Sequence, residues 1–328
     1  MFFELLRLSV GSTDALSRVP SGDEWRALYE ESRRQSVAGV CFNGVGIART
    51  SGLAVNLPKD LFHEWMGLAL QIQEGNMNVK KKCSEVTRII TEEGWPSCIL
   101  KGQSVARYYG PVLSSLRQSG DIDIWVYGEP LDVIRWAKDK HGGGVFDYHH
   151  INVPFFYDIK VEAHYRSTFS RNPVRNHRIQ KFSGRYSGQS IHIHDLEFSV
   201  APTAFDAVLL TNHIFNHLLY EGVGMRQVMD MYFFLLQAEG INKDEISKDL
   251  SWLKLGRICS SIMWIMKEVF LLDDESSFAC RMRRKDVSSS KRSLDPATWA
   301  SMIHATSISS RIPDPFYSSH GLGEAQVF

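Results

Sequence analysis

Five cysteines, Cys41, Cys83, Cys98, Cys259 and Cys280, are scattered through the chain without a single CxxC pair. An odd, unpatterned set excludes a disulfide framework and a cysteine zinc site, and reads as reduced thiols in a cytoplasmic protein. A long apolar run is also missing. The most apolar helical stretch, 261–272, carries Lys267 and Glu268 and is too short to cross a bilayer. The opening Met1-Phe2-Phe3-Glu4 meets charge too early for a secretory signal. No charge of one sign dominates, since 37 basic residues face 37 acidic ones. A nucleic-acid partner is therefore not expected, because such a binder carries a basic domain. His213 and His217 lie one helical turn apart, but there is no HExxH and no third ligand in register.

What remains is a chain of 328 residues with 44% apolar content, enough for one large domain or two ordinary ones. Residues 1–95 read as helical. Ser21 and Glu24 form a capping box ahead of Trp25, Leu28 and Tyr29. Pro58 suits the first turn of a long helix reaching about residue 92. The Lys80-Lys81-Lys82 run on that helix reads as a solvated face.

Between 96 and 200 the period changes. A short apolar strand over 97–100 precedes Gly102, which opens a helix to about residue 109. A loop is expected over 111–120, a strand over 122–127 and a helix over 131–140. Two further strands are expected at 145–153 and 156–165, and another near 190–194. Residues 201–275 return to a helical pattern, with segments at 225–237 and 253–272. The fold class is therefore α/β (α+β): a small mixed sheet flanked by N-terminal and C-terminal helical regions. The tail, 276–328, is Ser-rich and weakly periodic, the signature of disorder.

The chemistry concentrates in Leu100-Lys101-Gly102-Gln103-Ser104 and Arg117-Gln118-Ser119-Gly120-Asp121-Ile122-Asp123. Strand residues alternate faces, so Asp121 and Asp123 point one way and Ile122 and Ile124 enter the core. Paired carboxylates repel unless a cation lies between them, which makes the pair a candidate Mg²⁺ site. The glycine turn is a candidate phosphate cradle. Glu162 lies on a later strand. If that strand pairs beside the Asp strand, it completes a three-carboxylate cluster of the kind that supports two-metal phosphoryl or nucleotidyl transfer.

The run LKG-x(14)-RQSGDIDIWV, followed by KVEAHYR, resembles a largely uncharacterised bacterial nucleotidyltransferase family of the DNA polymerase β-like superfamily. The pattern of that family is approximately LKG … lRxxGDiDllv … vElHw. The likeness extends over about residues 1–275. It implies that Asp121 and Asp123 bind Mg²⁺ (or Mn²⁺) and the phosphates of an NTP, with ATP the expected nucleotide. It implies that Glu162 is a third metal ligand or the base for the acceptor hydroxyl. Gly102 and Ser104 would contact the triphosphate from the helix start, and Arg117 and Ser119 would steady it from the other side. The acceptor is a small molecule or a protein side chain. The alternatives are a non-catalytic, antitoxin-like binding module on the same fold, and a hydrolytic phosphotransfer enzyme.

Other polar residues take ordinary roles in this reading. His149 and His150 are assigned to strand packing, His213 and His217 to core or surface. Arg226 and Asp230 are spaced as an i,i+4 ion pair that stabilises the helix, the alternative being a pair that faces the acceptor or the phosphates. His164 shares the face of Glu162, either near the site or as a structural histidine. Related sequences carry a Gly-Asn-x-Gly element near their C-terminus. Suitable codons for 297–302 here, read one base out of frame, restore such an element, so a frameshifted end is a second reading of the tail, which the coding DNA tests.

Overall fold

The computed structural model describes residues 1–220, 222–238 and 240–273. The expected tail, its frameshift reading and Cys280 lie outside the described residues. Four helices come first: α1 (Phe2–Val10), α2 (Gly22–Arg34), α3 (Ala38–Thr50) and α4 (Lys59–Glu92). Helix α2 starts at the expected capping box, with the Ser21 side chain on the Glu24 N–H and the Glu24 side chain on the Ser21 N–H. Pro58 is the N-cap of α4, where its missing N–H costs nothing.

The sheet segment follows as β1 (Ser97–Leu100), α5 (Gly102–Ala106), a 3₁₀ turn at Arg107–Tyr109, α6 (Gly110–Leu116), β2 (Ile122–Val126) and α7 (Pro130–His141). Then come β3 (His150–Val153), β4 (Val161–His164), α8 (Pro173–Tyr186), β5 (Ile191–His192) and β6 (Ser199–Val200). The described residues end with α9 (Thr203–Tyr220), α10 (Met225–Gln237), α11 (Lys243–Trp252) and α12 (Gly256–Phe270). The result is an α/β fold with helical flanks, its six strands ordered β3-β4-β2-β1-β6-β5 in one mixed sheet. No described helix is long and apolar enough to cross a membrane.

The two sheet faces have different fates. Ile99, Ile122, Ile124, Val126, Ile151 and Ala163 pack on the later half of α4 (Val79, Cys83, Val86, Ile90) and on α7 (Val133, Trp136, Ala137). On the opposite face Cys98, Leu100 and Trp125 join a second core shared by α1, α3, the first half of α4, α9, α10 and α12. The two flanking helical regions thus meet in one apolar core, and Arg7 Nε donates to the Val269 carbonyl at 2.8 Å. Where α3 crosses α6, a Cβ on Gly39 would lie 2.4 Å from the Leu116 carbonyl oxygen, so only glycine permits that approach.

Several local expectations are corrected. The expected loop at 111–120 begins with α6, because Pro111 occupies a first-turn position where proline is tolerated. The expected strand at 145–153 shrinks to β3 and a single bridge at Phe146. Asp147 Oδ1 accepts from the N–H groups of His149 and His150 at 2.8 and 3.0 Å, and turns the chain there. The expected 156–165 strand begins only at Val161, since Asp158 is drawn to Lys82 and Asn78 on α4. Lys82 is therefore not simply solvated, and Lys80 Nζ also donates to the Asp195 carbonyl at 3.3 Å. Helix α11 was not anticipated. The four described cysteines are buried and unpaired with one another.

Candidate active site

Strand β2 sits centrally, antiparallel to β1 and parallel to β4. The β2–β4 register pairs Asp123 with Glu162 and Trp125 with His164. Strand β3 then places Asn152 beside Glu162 and His150 beside His164. Partners in register share a face, so Asp123, Glu162, His164 and His150 stand together. Asp121, two residues before Asp123, precedes the strand and is open to solvent.

Cations of the chain itself fill this face. Lys101 Nζ lies 2.7 Å from Asp123 Oδ1, and His164 Nε2 lies 2.8 Å from the same oxygen. Lys160 Nζ is 2.5 Å from Glu162 Oε1, and His164 Nε2 is 3.5 Å from Glu162 Oε2. Burial would raise the Asp123 carboxyl, but the Lys101 ammonium and His164 outweigh it and hold the group well below the usual carboxylate range. Burial likewise opposes charge on Lys101 and His164, and Asp123 reverses that, leaving both raised. Asp121 behaves differently. The Asp123 carboxylate, then desolvation, raises it, and its side chain has no hydrogen-bond or ion-pair partner among the described residues.

Desolvation would also raise Glu162, but hydrogen bonds from His164 and Lys160 bring it from 4.5 to about 2. Its ionised form therefore stabilises the fold. That contribution is complete above about pH 4.5 and is lost as pH falls towards 2, for a total of about 1–3 kcal/mol. In chelator, denaturant unfolding of the wild type is expected to weaken more steeply across this window than that of Glu162→Gln. Equal pH slopes would remove the argument.

The turn after β1 brings the first motif to the second. Lys101 and Gly102 both have positive φ, 43° and 34°, and a Cβ on Gly102 would sit 3.8 Å from the Asp121 carbonyl oxygen. Lys101, outside the expected site set, is thereby aimed at Asp123. The signal was present in the sequence, as the residue before the glycine. Ser104 is fully buried and its Oγ has no partner, so the structure does not bring it to the solvent side of the carboxylates. Helix α5 is only five residues long. Ser119 Oγ accepts from Gln103 Nε2 at 2.9 Å, and Gln103 also reaches Asn76 Oδ1 at 3.3 Å. Asn76 Nδ2 in turn donates to the carbonyls of Ser115 (2.6 Å) and Arg117 (2.7 Å), pinning the loop to α4.

Arg117 is engaged elsewhere. Its Nε and Nη2 grip Asp230 Oδ1 and Oδ2 at 2.7 and 2.8 Å, both side chains buried, and Tyr109 Oη donates to the same carboxylate at 2.7 Å. The expected Arg226–Asp230 pair is therefore replaced by Arg117–Asp230. The i,i+4 spacing gave way to a bidentate fit. Arg226 instead donates from Nη1 to the Gln118 carbonyl at 3.1 Å, beside Gly120 and Asp121. His213 is held neutral by burial, and its ring meets that of His217 at 4.2 Å.

Among the described residues, two groups have metal-ligating atoms all within 4.8 Å of one another: Asp147, His149 and His150, and His150, Glu162 and His164. Asp121 belongs to neither. Two apolar grooves, one beside Phe2, Leu28 and Met225 and one beside Phe42, Met66 and Leu116, include none of these residues.

The arrangement presents carboxylates, imidazoles and lysines on one face at a strand–turn–helix junction, which suits binding of a polyanion with its cation. No curated protein and no solved structure matches the chain. The model of a family described as uncharacterised nucleotidyltransferase matches residues 21–271, from the capping box of α2 to the end of α12, and the chain belongs to that family.

Proposed function

We propose that the chain is a metal-dependent nucleotidyltransferase that moves a nucleoside monophosphate from an NTP, ATP being the expected one, to an acceptor hydroxyl. The supporting observation is the β2–β4 register, which puts Glu162 beside Asp123 while Asp121 remains unpartnered. Asp121 and Asp123 hold Mg²⁺ or Mn²⁺ in this reading, and the bound ion supplies Lewis-acid polarisation of the phosphates. Glu162 is a further ligand or takes the hydroxyl proton. The acceptor oxygen then bonds to the α-phosphorus, the α–β phosphoanhydride bond breaks, and pyrophosphate leaves. Lys101 and Arg226 are the cations placed to neutralise phosphate charge. A small molecule or a protein side chain accepts the nucleotide, on a core of the DNA polymerase β-like kind.

One observation favours a second reading. Asp123 is already neutralised by Lys101 and His164, as a non-catalytic binding or regulatory module of antitoxin-like type would require. Incubation with each α-labelled NTP, Mg²⁺ and cell extract separates the two. Transfer gives labelled product and pyrophosphate. No release above the Asp121→Ala/Asp123→Ala double variant supports the module.

A further inference from the structure

The histidines on β3 and β4 form a second constellation that nucleotidyl transfer does not use. His150 Nε2 is 3.5 Å from Glu162 Oε1, and His164 Nε2 is 3.5 Å from Glu162 Oε2. All three ligand atoms lie within 4.8 Å of one another. Bonds of about 2.0–2.1 Å to a tetrahedral ion set ligand atoms roughly 3.3–3.4 Å apart, and each imidazole already stands near that distance from one carboxylate oxygen, so that Glu162 offers both oxygens or turns to present one. The sheet fixes this spacing, because His150 and His164 are register partners and Glu162 lies two residues before His164.

We propose that His150, Glu162 and His164 bind a divalent transition ion of the zinc class, with a fourth position left open to water or substrate. Two imidazoles and one carboxylate favour such an ion over Mg²⁺, which prefers oxygen ligands. Outer contacts fit the same role. With Nε2 on the ion, His150 Nδ1 faces His149 Nε2 at 3.2 Å and Asp147 Oδ1 at 3.4 Å. His149 Nδ1 is itself 2.9 Å from Asp147 Oδ1. Ligating histidines are regularly oriented by a carboxylate in this way. His164 is fully buried and its Nδ1 has no hydrogen-bond partner, so the polar contacts of its ring are on the cluster side. Lys160 now occupies Glu162 Oε1, but that lysine is 54% exposed and can withdraw into water at little cost. The site shares Glu162 with the proposed transfer centre and, through His164 Nε2, which turns from Asp123 Oδ1 at 2.8 Å to the ion, borders on Asp123, yet it requires no turnover there.

The test uses untagged full-length chain, stripped with chelator, in competition with a chromophoric zinc indicator and without nucleotide. One Zn²⁺ per chain is expected, undisturbed by excess Mg²⁺. His149→Ala, which removes the imidazole facing His150 Nδ1 and one member of the neighbouring Asp147–His149–His150 group, should weaken binding about 10–100-fold, and His150→Ala by at least as much. Asp121→Asn should leave zinc affinity unchanged, which keeps this result separate from any failure of the transferase assay. Circular dichroism checks that each variant is folded. The proposal is overturned if no zinc competes with the indicator. It is equally overturned if folded His150→Ala or His149→Ala binds zinc as tightly as the wild type.

Discussion

Asp121→Asn is expected to lower nucleotidyl transfer on the order of a thousandfold while leaving metal-free stability unchanged or slightly raised. The reason lies in its surroundings. Asp121 is solvent-exposed, has no partner among the described residues, and is pressed by the neighbouring Asp123 carboxylate. Removing its charge breaks no contact and relieves a repulsion. Asp123→Asn should show the same loss of transfer with a different stability record. Asp123 is buried between Lys101 and His164, and its neutralisation takes the paired carboxylate from Lys101 and leaves His164 with Glu162 alone. Breaking a buried pair from one side costs about 3–5 kcal/mol. The two aspartates, two residues apart, are therefore separable by thermal unfolding in chelator alongside the labelled-NTP assay. A folded Asp121→Asn that transfers at the wild-type rate sinks the assignment.

Arg117→Ala is expected to act on the fold. Arg117 and Asp230 form a bidentate, buried pair that ties the loop before β2 to α10, with Tyr109 on the same carboxylate. Its loss leaves Asp230 buried with only the tyrosine hydroxyl, again about 3–5 kcal/mol. For a chain of this size that corresponds to a fall in Tm on the order of 10 °C. Asp230→Asn should lose a similar amount, and the double variant should lose less than the two combined. The phosphate role read from the sequence makes the opposite prediction: unchanged Tm and a raised KM for the nucleotide. Thermal unfolding and steady-state kinetics on the same preparations decide between them.

The sequence was most legible where a local rule had no competitor. The Ser21 capping box, the long α4 and the alternation of Ile122 and Ile124 against Asp121 and Asp123 all depend on near neighbours in the chain. The pairing of Glu162 with Asp123 could only be posed as a condition, since strand order is a property of the sheet and not of the segment. Arg117 hides its buried pairing with Asp230 for the same reason. Its partner is distant in sequence, and the nearer i,i+4 candidate, Arg226, competed for Asp230 on paper. Pro111 falls in the expected 111–120 loop but starts a helix, because a first-turn position tolerates its missing N–H. Lys101 stands in the LKG element without a role that the sequence alone assigns, and the His149–His150 pair carries no pattern that distinguishes it from its neighbours. Their meaning comes from a positive-φ turn at Lys101 and from β3 lying against β4.

The most direct test of the central claim is a crystal structure with Mn²⁺ and a non-hydrolysable NTP analogue, with the ion located by its anomalous signal. The expected result is a manganese peak bonded to Asp121 and Asp123, the Lys101 ammonium displaced from Asp123, and the triphosphate over the Lys101–Gly102 turn. A nucleotide bound elsewhere, with Lys101 still on Asp123 and no manganese at either aspartate, would contradict it.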